Sequence, residues 1–148
     1  MNLNYFCDKI IYIMAHKIVE IEGIGPVYAE KLTKAGIETA EQLLEKCCNP
    51  KGRKELVEAT GISNDKILTW TNHADLFRVK GIGPQFAELL EAAGVDTVKE
   101  LGTRNAANLA AKLAEINEAK HLVGRVPVEI EVQRMIDHAK KLPGVITY

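Results

Sequence analysis

Aromatic residues make up only 5% of this 148-residue chain, and runs in which β-branched residues alternate with polar ones are few. That scarcity argues against a large β-sheet, whereas abundant Ala, Leu, Glu and Lys favour helices. Net charge is also nearly absent: 19 Lys and Arg stand against 20 Asp and Glu, for a formal charge of −1. No global basic field advertises nucleic acid or an anionic membrane, so any anion site has to be local. The three cysteines, Cys7, Cys47 and Cys48, form neither a CxxC pair nor a zinc spacing with His16, His73, His121 and His138. They read as reduced thiols of a cytoplasmic protein, and neither a metal nor a cofactor is expected. The opening MNLNYFCDKIIYI is too short to span a bilayer, is broken by Asp8 and Lys9, and lacks a signal-peptide cleavage site. Residues 1–16 are therefore expected to be an N-terminal extension outside the fold. No phosphate loop, nucleophile elbow or metal-binding pattern appears either, so an enzyme is not expected.

What the chain does contain is a duplication. Ile21–Cys48 aligns without gaps on Val79–Ala106, with identity at Gly23/Gly81, Ile24/Ile82, Gly25/Gly83, Pro26/Pro84, Ala29/Ala87, Glu30/Glu88, Leu32/Leu90, Ala35/Ala93, Gly36/Gly94, Thr39/Thr97 and Leu43/Leu101. Each copy ends on an apolar ladder followed by His-Ala, at His73-Ala74 and His138-Ala139. Two units of four helices each are expected, over 17–78 and 79–148, packed as one compact all-α domain. Pro26 and Pro84 suit a first helical position, and Gly36 and Gly94 suit a left-handed stop. Thr39-Ala40-Glu41-Gln42 and Thr97-Val98-Lys99-Glu100 fit capping boxes that open second helices. Third helices are expected over about Arg53–Thr60, stopped by Gly61, and Ala106–Val123, stopped by Gly124. Fourth helices follow Ser63 and Pro127. The tail LPGVITY is β-branched, and a short β pairing with HKIVEIE is expected.

The Gly-Ile-Gly-Pro corner has a physical logic of its own. Glycine permits positive φ and close approach of another backbone, while the isoleucine between drops into the core and pins the turn. Free amides at the start of the next helix then face outward and make a site for an anion. The candidate contacts are Gly23, Ile24, Gly25, Lys31 and Lys34 in the first copy, and Arg78, Lys80, Gly81, Ile82, Gly83 and Gln85 in the second. Glu20 and Glu22 beside the first corner oppose an anion. A second basic patch is Lys46, Lys51, Arg53 and Lys54, within and beside NPKGRK. Trp70, Ala74 and Phe77 form a core stripe rather than a stacking platform.

The pattern Val79-Lys80-Gly81-Ile82-Gly83 with Ala87 and Leu90 resembles the helix-hairpin-helix motif. Its first copy, Ile21-Glu22-Gly23-Ile24-Gly25 with Ala29 and Leu32, lacks a full leading helix. In proteins of that motif the corner grips a phosphate of the DNA backbone without reading bases, which positions but does not specify. The resemblance thus implies weak, salt-sensitive, sequence-independent binding of double-stranded DNA in a non-catalytic accessory role. A protein-interaction adaptor or homo-oligomer, and a corner that merely turns the chain, are the alternatives. DNA glycosylases share the hairpin but need a catalytic Asp after it and a base pocket; Asp96 falls in a helix-capping turn and the chain is short for that pocket. Over Lys17–Tyr148, the stretches IEGIGPVYAEKLTKAGI, PKGRKELVEATGIS, ADLFRVKGIGPQFAELLEAAGVDTVKEL and KLPGVITY resemble an uncharacterised bacterial family, domain of unknown function 4332. That resemblance implies a tandem helix-hairpin-helix fold and no particular activity.

Overall fold

The computed structural model describes residues 16–148, so the expectation for the N-terminal extension lies, save for His16, outside the described residues. A 3-10 turn, Ile18–Glu20, leads into α1 (Pro26–Lys34), α2 (Ala40–Cys47), α3 (Pro50–Thr60) and α4 (Asn64–Leu76). The second repeat supplies α5 (Pro84–Ala92), α6 (Val98–Leu101), α7 (Ala106–Lys120) and α8 (Glu129–Lys141). Among the described residues there is no strand, only one isolated bridge between Lys17 and Thr39. The all-α reading holds.

The duplication extends to backbone dihedrals. Gly23 and Gly81 both sit at φ 93°, and Gly36 and Gly94 at 89° and 87°, a region where an L side chain is strained. Past α1, the amide of Ile37 donates to Leu32 O at 2.8 Å and that of Gly36 to Thr33 O at 3.0 Å. Val95 to Leu90 and Gly94 to Glu91, each at 2.9 Å, repeat this after α5. Both helices thus end in a Schellman motif, in which the left-handed glycine lets two late carbonyls find donors. Thr39 accepts from the Gln42 amide at 3.1 Å, and the Gln42 side chain accepts from the Thr39 amide at 3.2 Å. Thr97 does half of this, accepting from the Glu100 amide at 3.2 Å, while Glu100 reaches back to the Asp96 amide instead.

One continuous core joins the repeats, with Leu32, Leu43, Leu44, Leu76, Leu89, Leu90, Leu101 and Leu113 almost wholly buried. Each such side chain contributes roughly 1.5–3 kcal/mol. The last helix of each repeat lies across the second, α4 on α2 and α8 on α6, and α4 meets α5 where the repeats join. At that joint Asp75 is buried. Its Oδ1 accepts from Arg78 Nη1 at 2.7 Å and its Oδ2 from the Val98 amide at 2.9 Å, so one carboxylate holds the following turn and caps α6. Burial raises the Asp75 carboxyl above its ordinary range, against the pull of Arg78 and the Val98 amide.

Three expectations are corrected. The third helix of the first repeat starts at Pro50, because Asn49 caps it by accepting from the Gly52 amide at 2.8 Å. Glycine is required there: a Cβ on Gly52 would stand 1.7 Å from Lys46 O. α7 stops at Lys120 with His121 left-handed at φ 52°, not at Gly124. The Asn117 side chain takes over the backbone beyond, donating to Val123 O at 3.0 Å and accepting from the Val123 amide at 2.9 Å. The β pairing of the tail with residues 16–22 is not formed. That edge is already taken, with Ile18 donating to Glu38 O and Ala40 to His16 O, both at 2.9 Å. The tail instead satisfies two buried arginines: Arg78 Nη2 donates to Pro143 O and Arg53 Nη2 to Thr147 O, each at 2.7 Å, and the Thr147 amide donates to Cys48 O at 2.7 Å.

Candidate nucleic-acid interface

Both glycine corners present the same local geometry. The Ile24 amide closes on Ile21 O at 3.1 Å and the Ile82 amide on Val79 O at 3.2 Å, while Ile24 and Ile82 are buried. Each corner then opens a helix whose N-cap, Gly25 or Gly83, has no side-chain cap, and Pro26 or Pro84 occupies the first position without an amide. The two glycines of each corner do different jobs. A Cβ on Gly23 would meet Trp70 Nε1 at 3.3 Å and one on Gly81 would meet Met135 Cε at 3.4 Å, so these positions are constrained by φ and by packing. A Cβ on Gly25 or Gly83 would meet nothing within 4 Å, and both have negative φ. Packing within the chain gives no reason for glycine at these two helix starts.

The surroundings differ. At the start of α5 a groove of about 410 Å3 is lined by Gly83, Pro84, Gln85 and Phe86 together with Glu20 and Glu22. Gln85 is exposed there, but the two carboxylates oppose an anion. On α1, Lys31 is exposed and Lys34 pairs with Glu30 at 3.1 Å. Arg78 is buried on Asp75 and the tail, and Arg53 is buried with Nη1 on Cys47 O at 2.9 Å and Nη2 on the tail. Both arginines are committed to carbonyl or carboxylate acceptors inside. Lys46 is engaged by Glu55, which it holds below the usual carboxylate range, so of the NPKGRK patch Lys51 and Lys54 stay exposed, in no ion pair among the described residues. That basic patch does not assemble.

Sequence reasoning missed the elements that cover each corner. Trp70 on α4 covers Gly23, and Met135 on α8 covers Gly81 in the matching way. Three residues on stand His73 and His138. Around Gly23 lies a groove of about 540 Å3 lined by Glu22, Asp65, Glu88 and Glu91 against Lys66 and Lys120. His73 is buried there with its Nε2 in contact with the Glu91 carboxylate, and Glu100 and Glu91, after burial, hold the nearby Asp96 above its usual range. Around Gly81 lies a groove of about 510 Å3 lined by Lys80, Arg134, His138, Met135 and Glu131.

Residues 22–142, from the first corner to the end of α8, match the family described as Domain of unknown function (DUF4332). The chain belongs to this family. Among curated proteins and among solved structures, none matches the chain. The span matched to DUF4332 includes both grooves and excludes most of the tail. No helix among the described residues is long and apolar enough to cross a membrane.

Proposed function

We propose that this DUF4332 protein is a cytoplasmic, non-catalytic helix-hairpin-helix protein that binds nucleic-acid backbone, DNA duplex in the first instance, weakly and without sequence preference. The observation that carries the reading is the pair of glycines, Gly25 and Gly83, at uncapped helix starts where packing within the chain does not ask for glycine. A helix start free of side chains lets a phosphate oxygen approach the amides directly, and the helix dipole favours the negative charge. With Arg78 and Arg53 buried, few cations assist, so binding falls in the non-specific range of about 100 μM or poorer at physiological salt. Fluorescence anisotropy with a short duplex, titrated with salt, tests this. Gly25→Ala is expected to stay within about 1 kcal/mol of wild-type stability while lowering affinity, since the methyl intrudes only on an incoming ligand. Absence of wild-type binding at ~50 mM salt, where backbone contacts are strengthened, removes the reading.

A second reading, a protein-interaction adaptor, is favoured by Glu20 and Glu22 at the start of α5 and by exposed Val19, Val27, Val128 and Ile130. Light scattering and retention of a basic or apolar partner check it.

A further inference from the structure

The two corners carry equivalent grooves of opposite sign. Glu22 in the first corner stands where Lys80 stands in the second, and Thr69 on α4 where Arg134 stands on α8, each one residue before the side chain that covers the corner glycine. One groove gathers carboxylates and the other gathers cations. In the second, the Lys80 amide donates to His138 Nδ1 at 3.1 Å. An Nδ1 that accepts this bond carries no proton, so in the neutral ring the proton sits on Nε2, which becomes a donor. The groove's one carboxylate, Glu131, is already occupied: Arg125 Nη1 and Nη2 donate to its two oxygens at 2.9 and 2.7 Å, and this pairing holds it down to about 2. Arg134 and Lys80 are exposed, and among the described residues neither side chain makes a hydrogen bond or ion pair, although the Arg134 charge adds to the pull on Glu131.

We propose that the groove between the second corner and α8 is a phosphodiester-binding site. Lys80 and Arg134 supply charge there, and His138 Nε2 supplies a neutral donor. The inference rests on the nucleic-acid reading and deepens it by making contact unequal: the second repeat holds phosphate on α8, and the first repeat's matching groove repels it. A planar guanidinium beside a point-charge ammonium suits a phosphate with two free oxygens.

The test is anisotropy with a short fluorescent duplex for wild type, Arg134→Gln, Lys80→Gln and a control, Lys112→Gln, on α7 outside the groove. All three substitutions are at exposed positions, and circular dichroism checks that the fold survives. One lost phosphate contact lowers affinity about tenfold at ~50 mM salt and reduces the salt slope by about 0.9. Arg134→Gln and Lys80→Gln are each expected to show that loss, and Lys112→Gln to show none. Wild-type binding with both groove variants at full affinity and slope overturns the groove alone and leaves the corner amides as the contact. No wild-type binding overturns both readings. Inorganic phosphate at matched ionic strength, followed by the NMR shifts of the Lys80 and His138 amides, separates the sources. Shifts with phosphate but none with duplex would make this a small-anion site and overturn the assignment to backbone.

Discussion

Cys47 is wholly buried on α2, and burial pushes its thiol up to about 11 from an unfolded value of 9.0, against the pull of Thr71, Arg53 and Lys46. The folded state therefore holds the proton to higher pH than the unfolded chain does. Stability is unaffected while both states are protonated, falls as pH rises from about 9 to about 11, and levels beyond. Two pKa units correspond to roughly 2–3 kcal/mol. Urea denaturation across that range should show this loss in a Cys48→Ser background, and Cys47→Ala should abolish the part that Cys47 contributes. In native-state alkylation Cys48, half-buried, should react before Cys47. Nothing local in the sequence separates the two adjacent cysteines, because helical position decides it: the Cys47 thiol meets Thr71 on α4, whereas the Cys48 thiol turns back onto Glu45 O.

Helix starts were legible because their signals are local. Pro26, Pro84, Thr39, Thr97, Ser63 and the glycine stops after α1 and α5 all act within a few residues of where they stand. Grooves were not, because each joins a corner to a helix distant in the chain. The corners repeat at an interval of 58 (81 − 23) and the covering residues Trp70 and Met135 at 65 (135 − 70), as α7 and the loop after it are longer than their first-repeat counterparts. An ungapped alignment thus loses Arg134. Asp75 was equally hidden: a carboxylate in the last turn of α4 opposes the helix dipole, and only its bonds to Arg78 and the α6 amide explain it. Asp75→Asn should remove the carboxylate charge from the buried contact with Arg78 and weaken the hold on the α6 amide. A loss of about 3–5 kcal/mol in denaturant unfolding is expected. A loss below 1 kcal/mol would mean that α6 holds itself.

Across the whole molecule the tail closes what the duplication leaves open. It ties Arg78, at the joint of the repeats, and Arg53, in the first repeat, to one segment of the second. Deleting residues 143–148 withdraws a carbonyl from each buried guanidinium, at about 1–3 kcal/mol apiece, so the truncated protein should lose roughly 2–6 kcal/mol and unfold at lower temperature in calorimetry. An unchanged transition would show that water replaces the tail. The opposed grooves have a last consequence. A molecule of formal charge −1 has almost no monopole, but an excess of carboxylates at one corner and of cations at the other contributes an electric moment along the line between the grooves. If the proposed nucleic-acid reading holds, such a body turns in the field of a polyanion before it touches, with Lys80 leading and Glu22 trailing.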